Sequence, residues 1–580
     1  MNAIHHPKRL RNHPVGKSAT VAFLLGFAPT EGICLCALII FLFPVLLRAA
    51  DPSATPSAAA GEALYNGIVL PSLWPPQPAT WPHPEPVVPP YLVSPPPVIP
   101  IDVGRQLFVD DFLIEETTLQ RAFHLAEYYP GNPVLRPDQP WESRDGLAET
   151  MAFSDGVWFD PKDNLFKVWY VSGKERCTCH ATSTDGIHWE KPALDVEPPS
   201  NIVLRKTRDS ATVWLDLDEK DPRRRFKMTL FAMDAVERNK PLEFRHSPDG
   251  IHWSAVVASN GYPDKSIYMD RTTMFYNPFR RLWVLSLRDW DEGPQHTARC
   301  RYYVETPDLA RLGTLWQDKS TLSKWASADR LDRLPGASFA QLYNLDAVAY
   351  ESLLLGAFSI NTANADTQTG RPKINQVKLG YSRDGFHWYR PDRRVFLPVS
   401  ENADAWNWGN VQSVGGVCLV VGDRLYFYVS GRTGRASTVG LAFLRRDGFA
   451  SMDAGPEEGM LTTRPVRFSG KHLFVNVDDP RGELRVEILN QAGQAVAPFT
   501  SGTCVPAAAD QTSHMVRWKG ANDLSSLVNQ PVRFRFRLTS GRLYAFWVSP
   551  EPSGASRGYV AAGGPGFFGN RDLGGVTGRN

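Results

Sequence analysis

Four aspartates occupy equivalent places in the sequence, each shortly before a short apolar segment: Asp155, Asp209, Asp270 and Asp346. When these segments are aligned on Val157, Val213, Met274 and Val348, every aspartate lies two or four residues earlier. Side chains at such intervals share one face of a β-strand. Carboxyl groups that converge raise one another's pKa, so that one can serve as an acid and another as a base or nucleophile. A carboxyl pair of that kind cleaves glycosidic bonds.

Two other roles stay open for these aspartates. Each one could cap the start of a strand by accepting hydrogen bonds from neighbouring backbone, as aspartate often does in turns. Some of the four could instead hold a metal ion on the axis of the fold. Four acids in register nevertheless favour catalysis over capping.

Further side chains near the aspartates are candidates for binding a substrate: Glu149, Arg208, Arg271, Arg288, Trp290 and Trp408. An arginine fork can bind hydroxyl groups or a sugar carboxylate, although an ion pair with the adjacent aspartate is an equal alternative. A tryptophan in a loop can stack on the face of a sugar or anchor local packing. Glu149 precedes the first apolar segment and could reach the mouth of a central channel.

A repeated turn shows which elements must position these residues. The pattern Ser-x-Asp-Gly-x-His-Trp occurs at 183–189, 247–253 and 382–388, and weaker copies lie near 305–316 and 445–449. Asp-Gly provides the positive-φ corner of a turn between two strands, and the tryptophan anchors the strand that follows. The histidines of the pattern are therefore expected to be structural. The spacing of the turns indicates five units of similar size.

Two short apolar strands precede each turn, which gives four strands per unit. Four-stranded sheets repeated about an axis form a β-propeller, whose innermost strands line a central channel. The sequence thus predicts an all-β protein with a five-bladed β-propeller over 101–455. Short apolar and alternating segments over 456–549 predict a separate C-terminal β-sandwich.

The two ends of the chain differ in composition from the predicted domains. A basic opening and the apolar run 33–47 predict a signal peptide or membrane anchor over 1–50, so we expect a secreted or periplasmic protein. Proline-rich residues 51–100 predict a linker, and glycine-rich residues 550–580 a flexible tail.

Charge and cysteine content exclude some classes of function. The chain has 63 basic and 61 acidic side chains and a net charge of +2, which is not typical of a nucleic-acid-binding protein. Five cysteines lie beyond residue 50, so at least one is expected to be unpaired within the chain. Neither a zinc site nor a cysteine nucleophile is expected.

The five-unit pattern, its Ser-x-Asp-Gly turns and the C-terminal sandwich resemble the five-bladed propeller glycoside hydrolases, a group that contains families 32, 43, 68 and 117. The likeness is strongest to family 32-like proteins and covers about 101–549. It implies that Asp155 is a nucleophile or base and that Asp209 is the acidic residue of the second blade. Two departures leave the general acid unassigned. The family's Trp-Met-Asn-Asp-Pro-Asn-Gly opening is absent, and Asp270-Arg271 stands where the family has a glutamate.

The sequence therefore predicts an exported glycoside hydrolase that acts on an oligosaccharide or polysaccharide. A non-catalytic glycan-binding propeller and a glycoside phosphorylase or transferase are the alternatives. A carbohydrate is the expected partner, with a membrane involved only if the N-terminal segment is uncleaved. No cofactor is expected, and a structural axial cation such as calcium stays open.

Overall fold

The computed structural model describes residues 61–574 except 79–80, 83, 145, 174–175, 234–240, 261–268, 291–297 and 334–338. The predicted signal or anchor segment 1–50 lies outside these residues. Strands form most of the regular structure, and the predicted all-β class is confirmed. Within the described ranges, no helix has the length and apolar character needed to cross a membrane.

The N-terminal strands are β1 (Ile99–Pro100), β2 (Gln106–Leu107), β3 (Ile114–Thr117), β4 (Gln120–Phe123), β5 (Glu127–Tyr128), β6 (Ser143–Arg144) and β7 (Leu147–Glu149). The central strands are β8 (Val157–Asp160), β9 (Leu165–Ser172), β10 (Cys177–Ser183), β11 (Ile202–Leu204), β12 (Arg208–Leu215), β13 (Phe226–Ala232), β14 (Leu242–Ser247), β15 (Ala258–Asn260), β16 (Thr273–Asn277), β17 (Leu282–Trp290), β18 (Arg299–Thr306), β19 (Ser323–Ser327), β20 (Gln341–Glu351), β21 (Leu353–Ala363), β22 (Ile374–Ser382), β23 (Asn410–Ser413), β24 (Leu419–Val421), β25 (Arg424–Arg432) and β26 (Ala436–Arg445).

The C-terminal strands are β27 (Ala450–Ala454), β28 (Gly459–Thr463), β29 (Val466–Arg467), β30 (His472–Asp478), β31 (Glu483–Leu489), β32 (Asp510–Met515), β33 (Arg533–Thr539), β34 (Gly541–Ser549) and β35 (Tyr559–Val560). Helical structure is limited to α1 (Pro90–Val93) and to 3₁₀ turns at Pro140–Glu142, Phe153–Asp155, Pro222–Arg224, Leu309–Thr314, Lys319–Thr321, Arg330–Asp332 and Ser525–Leu527 in the described chain.

The central strands form sheets in which successive strands pair antiparallel. The sheets are β8–β11, β12–β15, β16–β19, β20–β22 with β35, and β23–β26 with β5–β7. Strands β9, β13 and β21 are buried on both faces, as expected where sheets pack against other sheets. In the last sheet β7 pairs parallel with β26, so a strand from before the first sheet completes the last one.

Hydrogen bonds join the first strands of neighbouring sheets. Trp158 Nε1 donates to the Val213 carbonyl at 2.9 Å, and Thr273 Oγ1 donates to the Leu345 carbonyl at 2.5 Å. The Val157 amide donates to the Gly415 carbonyl at 3.1 Å, which connects the first sheet to the last. The first strands of these sheets thus contact one another or the loop after β23.

The repeated turn has one geometry in its three full copies. In the copy at 247–253, Asp249 Oδ1 accepts the backbone amides of Ile251 and His252, while Oδ2 contacts His252 Nδ1 at 2.7 Å. Gly250 takes a φ of 81°. The serine, aspartate and histidine of the pattern therefore bind one another and the turn backbone.

Two further sheets share a second core. One holds β2, β4, β27, β30, β32 and β34, and the other holds β3, β28, β31 and β33. Phe546 and Phe536, from opposite sheets, pack with ring centroids 5.3 Å apart. The strands over 106–123 belong to these sheets, whereas the sequence analysis placed them in the propeller. Their pairing across more than 300 residues leaves no local signal in the sequence.

Both end segments are more ordered than their composition predicts. Of the expected linker, Leu64, Ile68, Leu70 and Tyr91 are buried, because enough apolar side chains lie between the prolines to pack on the sheets. Of the expected flexible tail, β35 pairs with β20, and the Ala562 amide donates to the Cys418 carbonyl at 3.0 Å.

Candidate functional site

The candidate site lies where the first strands of the central sheets begin. The backbone there is irregular: Phe153–Asp155 is a 3₁₀ turn with a φ of 34° at Phe153, and β12 shifts register between Arg208 and Ala211. Arg271, just before β16, has a φ of 63°. The regular alternation assumed in the sequence analysis therefore holds at Asp346, inside β20, but not at the other three aspartates.

Asp155 is fully buried and bound to Arg208. Arg208 Nη1 donates to Asp155 Oδ1 at 3.1 Å, Arg208 Nη2 donates to Oδ2, and the guanidinium is itself fully buried. Burial raises the pKa of Asp155 to about 6, although Arg208 acts in the opposite direction. At neutral pH Asp155 is thus an ionised carboxylate with both oxygens engaged, and it presents no exposed face to a substrate.

Asp209 is half-buried, and its side chain is 19% exposed. Arg176 Nη2 lies 3.3 Å from Oδ1, and Arg271 Nε lies 3.4 Å from Oδ2. Burial alone would raise the pKa of Asp209, but Arg271, Arg176 and Arg208 hold it below its usual range. Asp209 is therefore an ionised carboxylate that solvent can reach.

Asp270 is the most exposed of the four aspartates, with 40% of its side chain accessible. Arg288 Nη1 lies 2.9 Å from its Oδ1. The guanidinium of Arg288 lies 4.8 Å from the ring centroid of Trp290, at the end of β17. Asp270, Arg288 and Trp290 therefore form one contiguous group, and Trp290 ends a strand, whereas the sequence predicted it in a loop.

Asp346 is buried in a polar network that joins three sheets. Its Oδ2 accepts from Ser413 Oγ at 2.5 Å and from Asn344 Nδ2 at 2.8 Å, and Asn344 Nδ2 also lies 2.9 Å from Ser154 Oγ. Burial raises the pKa of Asp346 above its usual value. Because the leading cause is burial for both Asp155 and Asp346, the expected mutual repulsion of carboxylates is not what raises their pKa values.

Glu149 and Trp408 occupy different parts of this region. Glu149 is 8% exposed at the end of β7. Burial lowers the pKa values of Arg176 and Arg432, and the charge of Glu149 opposes that shift. The guanidinium carbon of Arg371 lies 5.6 Å from the ring centroid of Trp408. Trp408 makes no ring contact or ion pair with the other candidates within the described ranges.

Several side chains of the site were not identified from the sequence: Arg176, Arg299, Tyr343, Lys373 and Arg432. The guanidinium carbon of Arg299 lies 5.1 Å from the ring centroid of Tyr343, and Lys373 Nζ lies 5.2 Å from it. Arg299 and Arg432 lie at the ends of β18 and β25, Arg176 and Lys373 lie in loops just before strands, and Tyr343 lies in β20, a first strand. Of these residues, Tyr343 is the one that the strand alignment could have identified, because it directly precedes the aligned Asn344.

The site combines carboxyl groups whose pKa values are shifted in opposite directions. Asp155 and Asp346 are raised by burial, whereas Asp209 is lowered by arginines. Among these three carboxyl groups only Asp209 is open to solvent, so Asp155 and Asp346 do not face a substrate. No group of three or more His, Cys, Asp or Glu side chains close enough to hold a metal ion occurs in the described part of the chain.

No protein-family model and no curated protein matches the chain. Solved structures that it resembles include an N-acetylgalactosamine deacetylase from F. plautii in complex with blood group B trisaccharide. The identity is 14%, the TM-score is 0.42, and the match covers 56% of this chain and 96% of the other.

Two further resemblances are to glycoside hydrolases. One is from glycoside hydrolase family 130, a family of mannoside phosphorylases that contains glycoside hydrolases targeting β-1,2 mannosidic linkages in Candida mannan. The identity is 12%, the TM-score is 0.37, and the match covers 57% of this chain and 97% of the other. The other is a thermostable family-43 glycoside hydrolase (12% identity, TM-score 0.36, 52% and 93% covered). These solved structures include glycoside hydrolases, the group that the repeat pattern of the sequence resembles. TM-scores below 0.5 assign no role to any residue, so the proposals below depend on the contacts of the site.

Proposed function

We propose that this protein is a glycan-processing enzyme that hydrolyses glycosidic bonds at the mouth formed by the first strands. The observation that carries the proposal is Asp209, a solvent-accessible carboxylate that arginines hold ionised. An ionised carboxylate beside a sugar can act as the nucleophile or general base of hydrolysis. Asp270, the most exposed neighbour, is the candidate for the partner acid, and Glu149 is the alternative.

Asp155 and Asp346 take a supporting role in this proposal. Asp155 fixes Arg208, and the backbone carbonyl of Arg208 accepts from Arg176 Nε at 2.7 Å. Arg176 in turn contacts Asp209. Asp346 holds the first, fourth and fifth sheets together through Ser154, Asn344 and Ser413. Both are therefore positioning residues.

The test is the release of reducing ends from a panel of neutral and acidic polysaccharides and aryl glycosides. We expect Asp209→Asn to lower kcat/KM by roughly 10²- to 10⁴-fold, the usual contribution of a positioned acid or base. Asp523→Asn is the matched control, because Asp523 Oδ1 accepts the Ser525 amide and asparagine caps a turn equally well. Equal activity of Asp209→Asn and the wild type on a cleaved substrate would refute the assignment.

A second candidate function is glycan binding without catalysis. It is favoured by the ion pairs of Asp155, Asp209 and Asp270, since each of these carboxylates already has an arginine partner. In that case a glycan array gives bound ligands, no substrate in the panel is cleaved, and Asp209→Asn changes affinity alone.

We also propose that the five central sheets are the blades of a five-bladed β-propeller and that the two remaining sheets form a β-sandwich. The support is the hydrogen bonding from sheet to sheet, including the contact of the last with the first, and the shared core around Phe536 and Phe546. A crystal structure with a different number of sheets about the axis would contradict this architecture.

We propose further that the protein is exported, on the basis of the basic opening and apolar run within residues 1–50. Expression with those residues in a bacterial host should deliver the chain beyond the cytoplasmic membrane. N-terminal sequencing then distinguishes cleavage near residue 50 from retention as an anchor, and accumulation in the cytoplasm would contradict export.

A further inference from the structure

Tyr343 lies among three cationic side chains. The guanidinium carbons of Arg271 and Arg299 lie 5.9 and 5.1 Å from its ring centroid, and Lys373 Nζ lies 5.2 Å from it. Although burial opposes the shift, Arg271, Lys373 and Arg299 hold the pKa of the Tyr343 phenol below its usual value. The ring therefore marks a place where positive potential is concentrated.

Trp290 extends this cationic surface. Arg299 and Arg288 place their guanidinium carbons 4.5 and 4.8 Å from its ring centroid. Arg299 thus lies against both Tyr343 and Trp290. Burial and the charge of Arg288 lower the pKa of Arg299, which reflects the repulsion between cations held close together.

Carboxylates neutralise only part of this charge. Asp209 pairs with Arg271, and Asp270 pairs with Arg288. In the part of the chain that the structure describes, Arg299 and Lys373 form no salt bridge, and Arg299 Nη1 donates to the neutral amide of Gln341. Two half-buried cations therefore face the same ring without a carboxylate of their own, and an anionic ligand would remove their repulsion.

We propose that Arg299, Lys373 and Tyr343 form an oxyanion subsite of the glycan site, with Arg271 and Arg288 beside them. The planar guanidinium matches the two oxygens of a carboxylate or phosphate, and the ammonium adds a point charge. Trp290 and Tyr343 provide flat faces on which a sugar ring can stack. This inference rests on the proposed function for the presence of a glycan, and it adds the class of ligand.

The oxyanion has two chemical sources. One is the carboxylate of a uronic acid residue within the glycan. The other is free phosphate, in which case a phosphate oxygen bonds to the anomeric carbon as the glycosidic C–O bond breaks. The leaving oxygen then takes a proton from a carboxyl group, and a sugar 1-phosphate is released.

The experiment measures binding to the full chain by calorimetry, with glucuronate, glucose and inorganic phosphate as separate probes. We expect glucuronate or phosphate to bind at least tenfold more tightly than glucose, with an affinity that falls as salt is raised. Arg299→Gln combined with Lys373→Gln should abolish that preference. Arg467→Gln combined with Lys519→Gln is the matched control, because both side chains are exposed on the strands and loops of the second core.

The probes distinguish the two sources. A preference for glucuronate indicates a uronic acid in the glycan, and a preference for phosphate with formation of a sugar 1-phosphate indicates phosphorolysis. Equal affinity of the wild type for all three probes overturns the inference, and so does an anion preference that survives the double substitution. If the double variant fails to fold, Arg299→Gln and Lys373→Gln are measured singly, and an anion preference that neither substitution weakens overturns the inference.

Failure of this inference differs from failure of the proposed function. Cleavage of neutral glycans that depends on Asp209, without any preference for anions, removes the subsite and leaves the hydrolase. Anion binding that depends on Arg299 and Lys373, without cleavage of any substrate, removes the hydrolase and leaves a binding protein with this subsite.

Discussion

Asp155 and Arg208 are buried together, and their ion pair shows how an arginine fixes an aspartate at this site. A charge without a partner is costly in the interior, whereas an ion pair with two hydrogen bonds offsets part of that cost. The pair therefore fixes the start of β12, where Asp209 follows directly. One residue further along, the same kind of arginine contact leaves Asp209 partly open to solvent. Residue type alone does not distinguish the two aspartates, but burial does.

The Asp155 carboxyl predicts a pH dependence of stability. Its pKa in the folded protein is about 6, above the usual 3.8. The folded state then binds this proton more tightly than the unfolded state, so raising the pH from 4 to 6 lowers the free energy of unfolding. We expect Asp155→Asn to lack this contribution. Urea unfolding at pH 4, 5, 6 and 7 measures it, and parallel curves for wild type and variant would contradict the prediction.

The first strands and the repeated turns show two different ways in which elements position side chains. At the site, a 3₁₀ turn, a register shift and a positive φ redirect the side chains of Asp155, Arg208 and Arg271. In the turns, by contrast, the same pattern of residues gives the same geometry each time. There Trp169 Nε1 donates to the Gly250 carbonyl at 2.7 Å, so the first of the central sheets contacts the turn of the second.

A glycine-to-alanine pair tests the packing of the turn. A Cβ at Gly250 would lie 2.4 Å from Trp169 Cζ2, and the φ there is 81°. Gly370 has a φ of 73°, and nothing lies within 4 Å of its Cβ position. We expect Gly370→Ala to cost about 1–2 kcal/mol for the left-handed backbone and Gly250→Ala to cost clearly more. Equal costs in urea unfolding would mean that Trp169 does not pack as described.

At the scale of the whole molecule, segments from both ends of the chain tie the sheets together. The C-terminal segment 559–564 crosses the ends of the first strands opposite the candidate site. The Phe159 amide donates to the Ala562 carbonyl at 3.0 Å, and the Val420 amide donates to the Gly563 carbonyl at 2.9 Å. Arg105, from the N-terminal side, reaches Asp447 through a buried ion pair of 2.9 Å. The contacts of residues 559–564 make the expected tail part of the fold.

Truncation tests the role of the C-terminal segment. A chain ending at residue 557 loses β35 and the hydrogen bonds of Ala562 and Gly563, and we expect its melting temperature to fall by several degrees. A chain ending at residue 574 keeps all of those contacts and is the control. Differential scanning calorimetry measures both. Identical melting temperatures would show that the segment does not stabilise the sheets.

The sequence by itself determined the all-β class, the repeated turns and the position of one aspartate in or just before the first strand of each of four central sheets. Those features are local, because periodic apolar residues and an Asp-Gly corner favour the same strand or turn wherever they occur.

Only the tertiary structure decided which aspartate solvent can reach and which cations surround it. Arg299, Lys373 and Tyr343 come from different strands and loops, and their meeting depends on how the sheets pack. The pairing of strands over 106–123 with those after residue 450 is likewise non-local. Burial and charge contacts depend on distances between residues far apart in the chain. Those distances cannot be read from the spacing of residues in the sequence.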